Sequence, residues 1–203
     1  MQRSVEQRQA TPKRRPATRR HPTAAVLGFT PRQWPFIYVL VGNWLLAAIF
    51  YTLAKLYWRW MPESWTVGER LELVIKIAVF ALMPALLAIC IVAAQRLNPN
   101  MWVGRAPKTN SALDINTRFI LNTVEQSILF VIGLAGLAVY CPIEEARTLI
   151  ILAVLFLTGR LLFWVGYHYN PYVRAFGFGL TFYPTVMVYV WLFFKMVFDV
   201  RIL

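Results

Sequence analysis

Acidic residues are scarce in this chain: nine Asp and Glu stand against 21 Lys and Arg, a formal net charge of +12. Only two cysteines (Cys90 and Cys141) and two histidines (His21 and His168) occur, which excludes a disulfide framework and a zinc site. No long polar insert separates the apolar runs, so nothing in the chain can bury a second, water-soluble core. No cleavable signal peptide is visible, because the first apolar stretch follows about 35 polar residues and is long enough to stay in a membrane. An inverted repeat or a pair of broken helices is also missing, which argues against a transporter.

What is abundant is apolar surface. Hydrophobic residues make up 59% of the chain and charged ones 15%, with a mean hydropathy of +0.53, well above the roughly half-apolar usage of soluble domains. Such a surface needs lipid. The basic excess would suggest nucleic acid if it were spread over a soluble fold, but eight of the Lys and Arg residues precede Phe36, where Glu6 is the only acid. A basic tail of this kind is attracted to anionic cytoplasmic lipid, and no nucleic-acid partner is expected. Residues 1–35, rich in Arg, Pro, Thr and Gln, have little to bury and are expected to be a disordered cytosolic tail. Thr11-Pro12 offers a phosphorylation point that would weaken lipid attraction, although a bland solvated tail explains it as well.

Five runs then approach the roughly 20 apolar residues that cross about 30 Å of hydrocarbon at 1.5 Å per residue. They extend approximately over 36–57, 73–94, 119–140, 148–167 and 176–198. A helix satisfies its own backbone hydrogen bonds in lipid, so each run is predicted to be a transmembrane helix, with kinks at Pro84 and Pro184. The predicted organisation is the tail (1–35), an additional helix with its loop (36–70), and a four-helix membrane domain (71–203). Orientation follows from excess Lys and Arg in cytoplasmic loops, which puts the N-terminus in the cytosol and the C-terminus outside. In this scheme Arg59 and Arg70 belong to an outer loop, and Arg96, Arg105 and Lys108 to an inner one. Trp34, Trp58, Trp60, Trp65 and Trp102 flank the spans as an aromatic belt would.

Ionisable groups within a span cost about 2.5 to 3.5 kcal/mol each, so they need a partner, a cavity or a route to the interface. Lys55, Lys76 and Lys195 lie near helix ends and are expected to snorkel. The third span is different: Arg118, Asn122 and Glu125 are spaced at i, i+4 and i+7 and share one face. The fourth carries Arg160, Phe163 or Trp164, and Tyr167 at similar spacing. Because the two helices run in opposite directions, these residues and Arg174 in the following loop converge on the cytosolic half of the bundle. Two uses are open. Glu125 and Arg160 can pair as interhelical glue, worth about 0.6 to 2 kcal/mol. Alternatively Arg118, Arg160 and Arg174 hold an anionic ligand while Asn122 and Glu125 hold its amide or amine groups.

The pattern Arg118-x-x-x-Asn122-x-x-Glu125, then Arg160-x-x-Phe163-x-x-x-Tyr167 and Arg174, resembles the MAPEG superfamily, the membrane-associated proteins of eicosanoid and glutathione metabolism. The likeness covers roughly 73–198, so the second to fifth spans would be the family's four-helix unit and the first an addition. Within the family, the extra helix, the basic tail and the run Gly177-Phe178-Gly179-Leu180-Thr181-Phe182 most resemble a MAPEG-domain transmembrane protein of vertebrate skin. The resemblance implies a homotrimer with glutathione as cofactor between subunits near the cytosolic face. It implies that Arg118, Asn122, Glu125 and Tyr167 bind glutathione, that Arg174 lowers its thiol pKa, and that Arg96 takes the part of an arginine ending the family's first helix. A nearby guanidinium does favour the thiolate, which is the nucleophile.

The sequence departs from that pattern at two positions. Phe163 stands where the enzymes commonly offer a Tyr or His, and Leu121 replaces an arginine found in some members. A buried polar group of a ligand left unpaired costs about 1 to 3 kcal/mol, so both departures weaken the catalytic reading. The expectation is therefore a MAPEG-like protein of endoplasmic reticulum, Golgi or endolysosomal membranes, non-catalytic and acting with membrane-protein partners in trafficking or receptor regulation. The alternative is a glutathione-dependent transferase or peroxidase acting on lipophilic electrophiles. His168 reads as an interfacial anchor, since a metal site needs more ligands than the chain supplies. Gly133, Ala135, Gly136 and Ala138 read as close helix packing.

Overall fold

In a computed structural model, residues 34–57, 64–97 and 107–198 are described. The basic tail up to residue 33 lies outside them, as do Trp58, Arg59, Trp60, Trp102 and Arg105. The described residues form five α-helices: α1 (Trp34–Tyr57), α2 (Val67–Gln95), α3 (Ala112–Tyr140), α4 (Arg147–Tyr169) and α5 (Pro171–Phe198). Each is long and apolar enough to cross a membrane. The chain is thus an all-α, multi-pass integral membrane protein.

Three helices start earlier than the apolar runs suggest, because their first turns are polar and held by caps. At α2, Thr66 and Glu69 form a reciprocal capping box, with the Thr66 N–H donating to Glu69 Oε2 at 2.8 Å and the Glu69 N–H to Thr66 Oγ1 at 3.3 Å. At α3, Ser111 Oγ accepts from the Asp114 N–H, while Asp114 Oδ2 accepts from the N–H of Asn110, whose φ of 61° an asparagine tolerates. At α5, Pro171 occupies the first helical position and Asn170 Oδ1 accepts from the Tyr172 N–H at 2.8 Å. Two expectations change in consequence. Arg174 lies in the first turns of α5, not in a loop, and Arg70 lies in the first turn of α2, buried, rather than in an outer loop. Arg70 donates to the Cys141 carbonyl at 2.7 Å and ties the start of α2 to the end of α3.

The bundle is built from two intimate pairs, α2 with α3 and α4 with α5, joined through α3 against α4 and α5. Its main core surrounds a stacked pair, Phe130 and Phe156, with ring centroids 4.1 Å apart, together with Val74, Ile77, Leu134 and Leu149. The α4–α5 seam is closer still. A Cβ placed on Gly159 would come within 2.9 Å of the Gly177 carbonyl, and one on Gly177 within 2.7 Å of the Gly159 carbonyl and closer yet to the Phe163 backbone. These helices therefore meet backbone to backbone, as small residues allow in membranes. Gly133 and Gly136 instead make room on α3 for the side chains of Tyr189, Val188 and Leu192 of α5.

The first helix packs most loosely. It touches the bundle at two levels: Asn43 is buried against Gly179 and Trp44 stacks on Tyr183 at 5.3 Å, while a turn from its end Lys55 Nζ meets Glu145 Oε1 at 2.6 Å. Lys55 thus has a specific partner, whereas the sequence suggested only a route to the interface.

Candidate functional site

Helix α3 delivers Arg118, Asn122 and Glu125 to one side, as their spacing requires, but its rotation separates their fates. Arg118 is exposed and bound to Asp114, one turn before it, at 2.9 Å. Asn122 turns toward α4, where its Oδ1 accepts from Arg160 Nη1 at 2.9 Å. Glu125 stays exposed on the outer surface. The helix extends about two turns beyond the predicted start, so Glu125 lies near the midpoint of a 29-residue element.

Arg160 is fully buried, at 0% exposure. Its Nη1 donates to Asn122 and its Nη2 to the Thr181 hydroxyl of α5, which in turn donates to the Phe178 carbonyl at 2.8 Å. The guanidinium also lies over two rings, 4.7 Å from the Phe163 centroid and 5.6 Å from that of Phe156. This is favourable because a desolvated cation over an aromatic face gains up to about 2 kcal/mol. The Nε has no hydrogen-bond partner among the described residues. Of the two uses left open for Glu125 and Arg160, the glue is present with different members: Arg160 binds an amide and a hydroxyl, and no contact joins it to Glu125.

From Arg160 a stack continues toward the α4–α5 junction. Phe163 is buried and meets Tyr167 edge-on at 4.9 Å, and the Arg174 guanidinium lies 5.0 Å from the Tyr167 ring centroid. Arg174 is exposed and Tyr167 half-buried. The structure therefore brings Asn122, Arg160, Phe163, Tyr167 and Arg174 into one line, and leaves Arg118 and Glu125 on the outer face of α3. Arg96 is exposed where α2 ends. On the outer surface of α3, Leu121 is 63% exposed and Ile128 54% exposed on either side of Glu125.

Sequence reasoning missed Thr181 and Asn116. Thr181 lies one turn after Gly177, inside the run already singled out, and that close approach is what lets its hydroxyl reach Arg160. Asn116 is buried and accepts from Trp164 Nε1 at 3.0 Å, below a stack of Phe119 on Trp164. Its signal was a helical step of six residues before Asn122, which marks no common face.

The opposite end of the bundle carries the second polar cluster. Tyr51 and Lys55 of α1 meet Glu145 and Thr148, the Tyr51 and Thr148 hydroxyls being 3.1 Å apart. Burial opposes the charge on Glu145, yet the Lys55 ammonium, the Thr148 hydroxyl and Arg147 together outweigh it and hold the carboxyl below its ordinary range.

The MAPEG family model matches residues 74–194, which run from α2 into α5 and include Asn122, Arg160, Phe163, Tyr167, Arg174 and Thr181 but not Tyr51 and Lys55 of α1. The chain is also similar to Transmembrane protein 79, or mattrin, of Bos taurus, at 28% identity over 137 residues, 66% of this chain and 34% of the bovine protein. Transmembrane protein 79 of Mus musculus is 28% identical over 132 residues, 64% of this chain and 33% of the mouse protein. The chain thus spans about a third of the length of these relatives. No solved structure matches. Matched by the family model over residues 74–194, more than half of its length, the chain belongs to the MAPEG family.

Proposed function

We propose that this MAPEG-family chain works through partners rather than turnover, in trafficking or receptor regulation within endoplasmic reticulum, Golgi or endolysosomal membranes. In the same reading it assembles as a homotrimer and keeps glutathione as a ligand held between copies. The observation that carries the non-catalytic part is the commitment of Arg160: fully buried, bound to Asn122 and Thr181 and covered by Phe163, it offers no donor to a ligand at the surface. The assembly part is supported by Glu125, an exposed carboxylate at mid-helix between exposed Leu121 and Ile128. A carboxylate facing hydrocarbon is costly, and a second copy with a cationic or amine-bearing ligand would cover it.

Calorimetric titration of the full chain in detergent with glutathione, on wild type and Glu125→Ala, tests the ligand. Binding lost in the variant supports the reading, and binding indifferent to Glu125 overturns it. For the role, deletion of Met1 to Pro35 is expected to change the distribution of the protein and its set of partners. An unchanged distribution and interactome would remove the trafficking reading.

The second reading, a glutathione transferase or peroxidase, is favoured by Arg174, which is exposed beside Tyr167 and able to draw a thiol toward thiolate. Its mark is an ultraviolet thiolate band on adding glutathione that disappears in Arg174→Ala.

A further inference from the structure

Helices α4 and α5 touch backbone to backbone at Gly159 and Gly177, yet toward the end where α4 begins they stand on two sides of a cavity of about 660 Å³. Leu149, Leu152 and Leu155 of α4 line one side, Tyr183 and Met187 of α5 the other, and Leu137 of α3 the floor. Helix α1 closes the cavity from outside. Two contacts hold it there, Trp44 stacked on Tyr183 and, farther along, Lys55 paired with Glu145. Between them α1 presents Ala47, Ala48 and Tyr51 to the space. The volume falls within the range of ligand sites, roughly 300 to 1,000 Å³, and apolar walls this far apart forfeit dispersion contacts with one another.

Length, polarity and wall shape together define what fits. From Lys55 to Trp44 the helix rises roughly 16 Å at 1.5 Å per residue, about half of the ~30 Å hydrocarbon layer, so the cavity is as deep as one leaflet. Its polar end asks for no ion. Glu145 receives Lys55 Nζ on one oxygen at 2.6 Å and the Thr148 hydroxyl on the other at 3.3 Å, and Lys195 has an interaction of its own. An ionic head would have to compete with these contacts. A single hydroxyl need not: the Tyr51 and Thr148 hydroxyls lie 3.1 Å apart, and each oxygen carries lone pairs to which a further hydroxyl can donate. The long walls differ in relief. Alanine methyl groups make the α1 side smooth, whereas Leu149, Leu152, Leu155 and Met187 make the facing side rough, with ring surface added by Tyr140 and Trp191. A rigid, flat ring system with one smooth face and one face bearing methyl groups matches that asymmetry. It also loses no rotamer freedom on binding, as a flexible acyl chain would.

We infer that the cavity between α1 and the four-helix unit binds a sterol, an uncharged planar lipid one leaflet long, with its hydroxyl at Tyr51 and Thr148 and its smooth face on Ala47 and Ala48. A helix of a second copy, about 10 Å across with its side chains, has no room beneath α1 while the Trp44 and Lys55 contacts hold it. The site uses none of the residues of the Asn122–Arg160 cluster, and it requires α1.

Photoreactive cholesterol, with a photoreactive long-chain alcohol as a flexible uncharged control, is added to the full chain in nanodiscs of phosphatidylcholine, and labelled peptides are mapped by mass spectrometry. Sterol label is expected on α1 between Trp44 and Tyr51 and on α4 between Leu149 and Leu155, competed by unlabelled cholesterol. Ala48→Trp fills the space and is expected to abolish this label. Tyr51→Phe with Thr148→Val is expected to reduce it roughly tenfold, the loss of one hydrogen bond, while sparing label by a photoreactive cholestane that lacks the hydroxyl. The map on the wild-type chain needs no variant, so a misfolded substitution does not shield the proposal. Label spread evenly over the outer faces of the helices, the alcohol labelling the cavity as well as the sterol does, or unchanged sterol label in either variant overturns it.

Discussion

Arg160 of α4 donates to Asn122 of α3 at 2.9 Å while its other terminal nitrogen binds Thr181 of α5, so one buried guanidinium ties three helices together. It does so without a carboxylate. Removing an acceptor from a buried cation leaves the charge underpaired, which costs more than the contact itself contributes. Asn122→Ala is therefore expected to lower stability in detergent by about 1 to 3 kcal/mol, read from thermal unfolding. Arg160→Met with Asn122→Leu, which removes both partners, is expected to recover part of that loss. An unchanged melting temperature in Asn122→Ala would show that the contact is idle.

The α4–α5 seam predicts a contrast between glycines. Gly177→Ala drives a methyl group into the Phe163 backbone and the Gly159 carbonyl, neither of which can yield, whereas a Cβ on Gly42 of α1 meets nothing within 4 Å. Gly177→Ala is expected to destabilise by about 1 to 3 kcal/mol or to prevent assembly of the bundle. Gly42→Ala is expected to be neutral or stabilising by up to about 1 kcal/mol. Thermal melts of the two variants side by side decide it; equal effects would contradict the backbone contact.

The Lys55–Glu145 pair gives a pH dependence with a definite sign. The folded carboxyl titrates below its ordinary 4.5, so the folded state binds its proton less readily than the unfolded chain does. The stabilisation is present in full above 4.5 and is lost as pH falls through the lower, folded value. Melting temperature should be flat with respect to this group near neutrality and decline only in acid. Glu145→Gln is expected to lower the neutral value and to flatten the acid decline, and a decline of unchanged size would assign it to other carboxylates.

If Glu125 is covered by another copy, Leu121, one turn away on the same exposed face, lies at that junction. In a Cys90→Ser background, Leu121→Cys treated with a short bismaleimide in membranes is expected to give linked species above the 23.5 kDa chain, and to give fewer of them when Glu125→Ala is added. Monomer alone would remove the assembly reading.

The five spans were legible in the sequence because apolar length is a one-dimensional property that lipid thickness fixes. The starts of α2, α3 and α5 were not read from hydropathy, since their first turns are stabilised by caps; Thr66 with Glu69, and Asn170 before Pro171, were nevertheless present as signals. The line from Asn122 to Tyr167 followed from spacing and opposed helix directions. The separation of Glu125 from Arg160 did not, because a helix face is broader than a contact, and packing against α2 and α4 decides which edge of it turns inward. Lys55 and Glu145 are 90 residues apart, and nothing local marks them as partners.

One residue, Asn170, lies between α4 and α5, and their backbones touch at Gly159 and Gly177. Two spans coupled so tightly have no slack in which to slide. A shift of one along the bilayer normal must carry the other with it, so the hairpin and not the single span is the unit that can tilt.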